Sequence, residues 1–451
     1  MSKINLKDLS SLKGNLKYDL SAGLVVFLVA VPLCLGIALA SGAPLFSGLI
    51  AGIVGGLVIG SFSGSQLSVS GPAAGLTIIV INAISTLGSF ETFLCAVFIA
   101  GVLQVVMGYA KAGSIAAFFP SAVIKGMLAA IGIILILKQI PHAVGYDMDY
   151  EGNLNFLQAD DENTISEIFK AFGAITPGAV VISLVSLILM IYWGKIKWSV
   201  AQAIPAPLLV VVFGVVINSL FDSLGWADIV LGAEHLVQIP VANSFNELLS
   251  FFTIPDFSNF KNPQVYGVAI TLALVATLET LLNVEAVDKI DPYKRTSPKN
   301  RELKAQGIGN MVSGLIGGLP ITSVIVRSSV AVNSGGRTKM TAIFHGFLIL
   351  VAVVLFPTML NLIPLASLAA ILLVTGYKLT TFALYKNFYK QGWDQFLPFI
   401  VTVVAIVFTD LLLGILIGMG VSIFFILRRN MKNNFSYQLE EQVDNHKVKI
   451  T

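Results

Sequence analysis

The chain has 451 residues, 56% of them hydrophobic and 12% charged, with a formal net charge of +3 and a mean hydropathy of +0.85. Soluble domains run near a quarter charged, so the composition excludes a soluble enzyme or nucleic-acid-binding domain and describes a polytopic membrane protein. The two cysteines, Cys34 and Cys95, both fall in apolar stretches, which argues against a disulfide framework and against a cysteine metal site.

The opening stretch, MSKINLKDLSSLKGNLKYDL, is polar and lacks the apolar core of a signal peptide, so the first span serves as its own insertion signal. Residues 1–18 read as a cytoplasmic segment. Apolar segments bounded by Gly, Pro or charge predict about fourteen spans, at roughly 20–41, 46–62, 71–86, 91–110, 115–137, 175–193, 205–221, 265–287, 303–318, 321–333, 339–359, 362–377, 394–409 and 411–427. Fourteen crossings from a cytoplasmic N-terminus put both termini inside. The inner loops then hold Lys195, Lys197, the cluster Lys289, Lys294, Arg295, Lys299, Arg301 and Lys304, then Arg337, Lys339, Lys378, Lys386 and Lys390. Outer loops hold chiefly Lys170 and Lys261, and one is acidic: Asp147, Asp149, Glu151, Asp160, Asp161, Glu162 and Glu167. This is a positive-inside pattern, and it suits a bacterial-type inner membrane. Residues 222–264, with Trp226, Pro240, Pro255 and Pro263, read as an outer loop of short helices or irregular cover. Residues 428–451, opening on Arg428 and Arg429, read as a polar tail too short for a folded domain.

An internal repeat organises the spans. Pro72 follows Tyr18 by 54 residues, and Pro320 follows Tyr266 by 54 residues. Each proline precedes a short apolar run: SVSGPAAGLTIIV in the third span and SGLIGGLPITSVIVRSSV into the tenth. The halves, 19–221 and 265–427, are seven spans apart, so they insert in opposite senses. Interrupted short spans at corresponding positions of inverted repeats point to a transporter binding site, although Gly and Pro also make plain packing kinks. Two helix starts facing each other would offer free N–H groups and partial positive charge to a small anion. The small residues Ala73, Ala74, Thr77, Thr322 and Ser323, with Val324, line the expected openings.

Two ionisable residues fall inside spans. Arg327, about two turns beyond Pro320, would add positive potential behind the anion cradle or pair structurally. Glu279 and Asn283 are four apart and share a helix face. They suit a hard cation such as sodium, with backbone carbonyls near Ser323, or a proton held by a buried carboxyl. Other polar residues read as structural. Asp410 and Glu91 are expected to cap helices, Lys125 to snorkel, His345 to be packed, and Glu285 and Asp288 to balance the basic loop. No Walker loop, zinc spacing or nucleophile elbow appears, so neither enzyme chemistry nor a resident cofactor is expected.

The stretches YDLSAGLVVFLVAVPLCLGIALASG, SVSGPAAGLTIIV, ETLLN, KAQGIGNMVSGLIGGLP and VRSSVAVNSGGRTKMTAIFHG resemble the sulfate-permease (SulP) family of inorganic anion transporters over about residues 15–430. The resemblance implies an all-α membrane fold of seven-plus-seven inverted repeats. A core of spans 1–4 and 8–11 would move against a gate of spans 5–7 and 12–14, with half-helices in spans 3 and 10, in a homodimer. It places the substrate contacts on Ala73, Ser323 and Val324, the basic residue on Arg327 and the span-eight acid on Glu279. Leu33 after Pro32, Ala73 after Gly-Pro and Val326 before Arg327 depart from common family residues. The chain is expected to lack the C-terminal STAS domain. It is most similar to the branch associated with bicarbonate uptake, whose sodium-coupled members place an acid and a small polar residue four apart in span eight. Sodium-coupled bicarbonate import is therefore the expected function. The alternatives are proton-coupled sulfate or dicarboxylate transport, a nucleobase permease, or an anion channel.

Overall fold

The computed structural model describes residues 12–148, 156, 163–195, 205–226, 229–242, 244–432, 439–443 and 446–450. Lys197, Asp149, Glu151, Asp160, Asp161 and Glu162, which entered the charge pattern, lie outside the described residues. The first half runs α1 (Leu12–Ala40), α2 (Leu45–Phe62), β1 (Ser70–Pro72), α3 (Thr77–Leu87), α4 (Phe90–Tyr109), α5 (Ser121–Val144), α6 (Thr164–Gly173), α7 (Pro177–Tyr192) and α8 (Ala206–Ser223). The second half runs α9 (Pro263–Ile290), α10 (Lys299–Ile316), β2 (Ile321–Ser323), α11 (Ile325–Asn333), α12 (Met340–Leu355), α13 (Leu365–Leu379), α14 (Phe382–Lys390), α15 (Trp393–Phe408) and α16 (Leu411–Lys432).

Among the described residues, eight helical stretches are long and apolar enough to cross a membrane: α1, α2, α4, α5, α8, α9, the run from α13 through α14, and α16. The other six expected spans fall on helices that are shorter or more polar: α3, α7, α10, α11, α12 and α15. The polarity of α10 has a physical reason. Glu302, Gln306, Asn310 and Ser313 stand roughly one turn apart on a face buried in protein, where polar groups find partners and meet no lipid.

Helix contacts fall into two groups. The first joins α1–α4 with α9–α12, and its closest-packed pair is α4 with α10. The second joins α5, α7 and α8 with α13, α15 and α16. In lipid, helices associate through close van der Waals approach, which small residues permit. Gly101 and Gly307 provide it between α4 and α10. A Cβ on either would stand 2.6 Å from the other's carbonyl oxygen.

Some features depart from the sequence expectations. The two breaks are short strands: β1 and β2 pair antiparallel, Ser70 with Ser323, Gly71 with Thr322 and Pro72 with Ile321. A helix, α6, precedes the sixth span and meets α7 at a bend of 115°. Glu91 does not cap α4; the side chain of Ser89 does, accepting from the Thr92 N–H at 3.1 Å. Asp410 caps as expected, accepting from Leu413 N–H at 2.9 Å. The tail carries a hairpin of β3 (Leu439–Val443) and β4 (His446–Ile450). Between α8 and α9, short helices alternate with irregular chain.

Replacing Gly307 by leucine forces side-chain atoms into the α4 backbone, and overpacking costs about 1–3 kcal/mol or more. The expected outcome is a clear drop in the melting temperature of the purified protein, with Gly267→Leu as control because nothing lies within 4 Å of a Cβ there. Equal melting temperatures for the two variants would contradict this packing.

Candidate functional site

The site is built around β1 and β2. A strand end buried in apolar surroundings must have its backbone groups satisfied, and here each break satisfies the other. Beyond the ladder, the Val324 N–H donates to the Val69 carbonyl at 2.9 Å, and the Val69 N–H donates to Ser328 Oγ at 2.9 Å. Ser68 and Ser323 hydroxyls meet at 2.7 Å.

The buried face of α10 holds both strands from behind. Gln306 Nε2 donates to Ser70 Oγ at 2.7 Å. Asn310 grips Ile321 twice, accepting its N–H at 2.6 Å and donating to its carbonyl at 3.0 Å, and also reaches Gln104 of α4. Ser313 Oγ donates to the Leu319 carbonyl at 2.7 Å. Glu302 accepts from Ser63 Oγ and from Gln306 Nε2, fixing the turn that leads into β1. Sequence reasoning missed this ladder. Its signal was a run of polar residues at helical spacing in KNRELKAQGIGNMVSGLI, within the span expected at 303–318.

Arg327 is fully buried, and no carboxylate pairs with it among the described residues. Its Nη2 donates to Cys34 Sγ at 3.2 Å, and its Nε and Nη1 have no hydrogen-bond partner. The guanidinium presses against β1: a Cβ on Gly71 would stand 2.0 Å from Nη1. Only glycine fits there. The cation therefore presses on the strand pair from the side opposite α10, and it lacks a counter-charge among the described residues. An unpaired buried charge is costly, so this arrangement favours an anion nearby.

Glu279 and Asn283 lie on the buried face of α9. The Glu279 carboxylate lies against the Gly75 N–H at the start of the helical segment leading into α3. Asn283 Nδ2 donates to the Ser323 carbonyl at 2.5 Å. Glu279 Oε2 and Asn283 Oδ1 are buried without a partner. Both residues border a cavity of about 30 Å³, walled also by Ala74, Gly75, Val324, Ile325 and Val326 and closed by Ile131 of α5 and Leu411 of α16. That is room for about two waters. A second small cavity touches both residues from the side of Leu412 and Ile415.

The expected contacts divide accordingly. Ala74, Val324, Glu279 and Asn283 reach the cavity wall. Ala73, Thr77, Thr322, Ser323 and Arg327 stand outside it. The Thr77 hydroxyl is committed to the Ala74 carbonyl at 2.8 Å, and that of Thr322 to the Ser323 carbonyl at 3.2 Å. His345 is fully buried, with Nδ1 facing the Ala342 carbonyl at 3.3 Å. Lys299 bridges Glu285 at 3.0 Å and Asp288 at 2.5 Å, the charge balance expected of the basic loop. Among the described residues no cluster of three or more His, Cys, Asp or Glu is arranged to hold a metal.

Two interrupted segments that pair beside a small cavity are the kind of geometry from which transporter sites are built. The model of the sulfate permease family matches residues 16–426. The chain belongs to the sulfate permease family. YvdB of Bacillus subtilis (strain 168), whose name carries sulfate transport, is 28% identical over 412 residues, covering 91% of this chain and 73% of that one. The bicarbonate transporter BicA of Picosynechococcus is 25% identical over 447 residues, covering 97% and 75%. Among solved structures, the transmembrane domain of a cyanobacterial BicA matches with a TM-score of 0.59 at 22% identity over 91% of this chain and 97% of that one. SLC26A9 matches with a TM-score of 0.65 at 16% identity over 97% and 69%. The fold is thus that of a multi-pass anion transporter, and the family and these neighbours are membrane transporters and not enzymes. Sulfate and bicarbonate transporters both stand among its relatives, at similar distance.

Gly71→Ala drives a methyl into the Arg327 guanidinium. Anion uptake by reconstituted protein is expected to fall at least about tenfold, the effect of roughly 1.4 kcal/mol on a transport barrier. Unchanged uptake would mean that Arg327 and β1 do not form one unit.

Proposed function

We propose that this sulfate permease family member is a secondary active transporter that imports bicarbonate together with sodium. The observation that carries the reading is the pair of orphan oxygens, Glu279 Oε2 and Asn283 Oδ1, both buried and both bordering one small cavity at the strand pair. Buried oxygens without donors favour a cation. Arg327, against β1 with no carboxylate paired to it among the described residues, and the small residues at the opening favour an anion. Two sites of opposite charge a few residues apart couple by electrostatics, since each bound ion lowers the cost of the other. The BicA relatives are named for bicarbonate, which supports the substrate.

In this reading the α1–α4 and α9–α12 group carries the ions and slides against the α5–α8 and α13–α16 group, as an elevator. The two halves, 19–221 and 265–427, act as inverted repeats of seven crossings each, with α3 and α11 as half-helices. The protein works as a homodimer in a bacterial-type inner membrane with both termini cytoplasmic, in keeping with the inner-loop cations Lys289, Lys294, Lys299, Arg301 and Lys304. A proton-coupled sulfate or dicarboxylate carrier is the second reading. It is favoured by the Glu279 carboxyl, whose Oε2 is buried without a partner and suits a proton, and by the sulfate transporters among the relatives.

Labelled bicarbonate uptake into proteoliposomes should rise with an inward sodium gradient and fail without sodium. Glu279→Gln should remove the sodium dependence. Sulfate uptake driven by a proton gradient, with no bicarbonate flux, would replace this reading with the second. Full sodium dependence in Glu279→Gln would remove Glu279 from coupling.

A further inference from the structure

A second polar cluster lies at the opposite end of the α5 group from the basic loops, on the outer side. Asp147, three residues beyond the end of α5, accepts from two histidines at once. His142 Nδ1 meets its Oδ1 at 2.5 Å, and His235 Nδ1 meets its Oδ2 at 2.6 Å. The His142 and Asp147 side chains are 3% and 4% exposed, and that of His235 is 16% exposed. His142 belongs to the last turn of α5. His235 belongs to the segment 229–239 that follows α8, which runs across the outer end of the molecule.

That segment is tied down along its length. The Leu231 N–H donates to Asn218 Oδ1 of α8 at 2.9 Å. The Val237 N–H donates to the Ile363 carbonyl at 3.0 Å, and Ile239 exchanges two hydrogen bonds with the Asn361 side chain ahead of α13. Between these anchors, His235 links the segment to α5. Beneath it lies the largest cavity of those described around these groups, about 170 Å³. One wall is Pro32, Leu35, Gly36 and Leu39 of α1; the other includes His142, Asp147, Glu234, Leu236 and Leu365. The cavity therefore separates the two helix groups at their outer edge.

We propose that His142, Asp147 and His235 form a proton-responsive clip that holds segment 229–239 against the end of α5 beside this cavity, and that the clip loosens on the alkaline side. Among the described residues, two further groups face His235. Glu234 stands 3.7 Å from His235 Nε2, and Thr176, at the start of α7, lies 3.5 Å from the same nitrogen. The cavity wall given by α1 and Leu365 carries no titratable side chain. One turn further in on α5, Lys138 pairs with Glu167 of α6 at 3.4 Å.

The electrostatics fix the direction. The hydrogen bond to Asp147 raises the His235 pKa above its ordinary 6.5; burial pulls it down by less, and the charges of Asp147 and Glu234 add to the rise. Burial alone would raise the Asp147 carboxyl, but the hydrogen bonds and charges of His142 and His235 outweigh it and hold the pKa below 3.8. A raised histidine contributes its stabilisation fully below about 6.5 and loses it as pH rises through the folded value. A depressed carboxylate contributes above its ordinary value and loses it as pH falls through the folded one. The clip is thus tightest from mildly acidic to neutral pH. On the alkaline side His235 keeps at most a neutral hydrogen bond, about half as strong as the charge-assisted one.

Hydrogen–deuterium exchange of segment 229–239 in the purified full chain tests this without any substrate, so it stands apart from the choice of anion. After correction for intrinsic exchange, protection should fall about fivefold from pH 6 to pH 9. Peptides from α10 serve as the internal reference. His235→Gln keeps a donor but cannot titrate, and its protection should be flat with pH. A pH-independent segment in the native protein would overturn the clip, as would a His235→Gln profile that follows the native one. The first of these needs no variant to fold.

Discussion

Everything at the centre of this protein depends on one constraint: backbone cannot be left unpaired where water is absent. Two interrupted spans each expose a few residues of extended chain. They satisfy one another as β1 and β2, three residues against three, with no strand to spare. Because the two come from opposite halves of the chain, this small ladder locks the halves together at the point where the ions are expected. The ladder of Glu302, Gln306, Asn310 and Ser313 on α10 then pins both strands from one side, while Arg327 presses on Gly71 from the other.

The charges follow from that geometry. Arg327 is held where no carboxylate among the described residues pairs with it, and Glu279 where its second oxygen has no donor. A protein built for stability alone would pair such groups or replace them with apolar residues, since each unpaired buried charge costs several kcal/mol. Their persistence at a small cavity between two helix groups makes sense when mobile ions complete them. Ile131 and Leu411, from the second helix group, wall that cavity, so it lies at the boundary between the two groups. The outer cavity beside Leu35 and Leu39 lies along the same boundary, nearer the exterior.

Much of this was legible in the sequence. Apolar periodicity located most of the helices. The spacing from Tyr18 to Pro72 and from Tyr266 to Pro320 exposed the paired breaks, and Glu279, Asn283 and Arg327 stood out because charge inside a span is rare. What stayed hidden were features made by tertiary pairing. SGP and ITS are too short to announce strands, and each becomes one only through the other. Asn310 and Gln306 did not stand out within the span expected at 303–318, since their partners lie far away in sequence. Asp147 was counted among the acids of an outer loop. Its two histidines come from positions 88 residues away and five residues away, which no local pattern joins. Thr322 and Ser323 were read as small residues at the opening of the site; their hydroxyls are used within the protein.

The central claim is that an anion and a cation bind at one coupled site beside β1 and β2. Equilibrium stabilisation of the purified protein tests this most directly, since ligand binding to the folded state raises the melting temperature by mass action. Bicarbonate should stabilise the protein more in sodium than in choline, and sodium should stabilise it more with bicarbonate present, by the same coupling free energy. Shifts that simply add, with neither ion altering the effect of the other, would contradict the account.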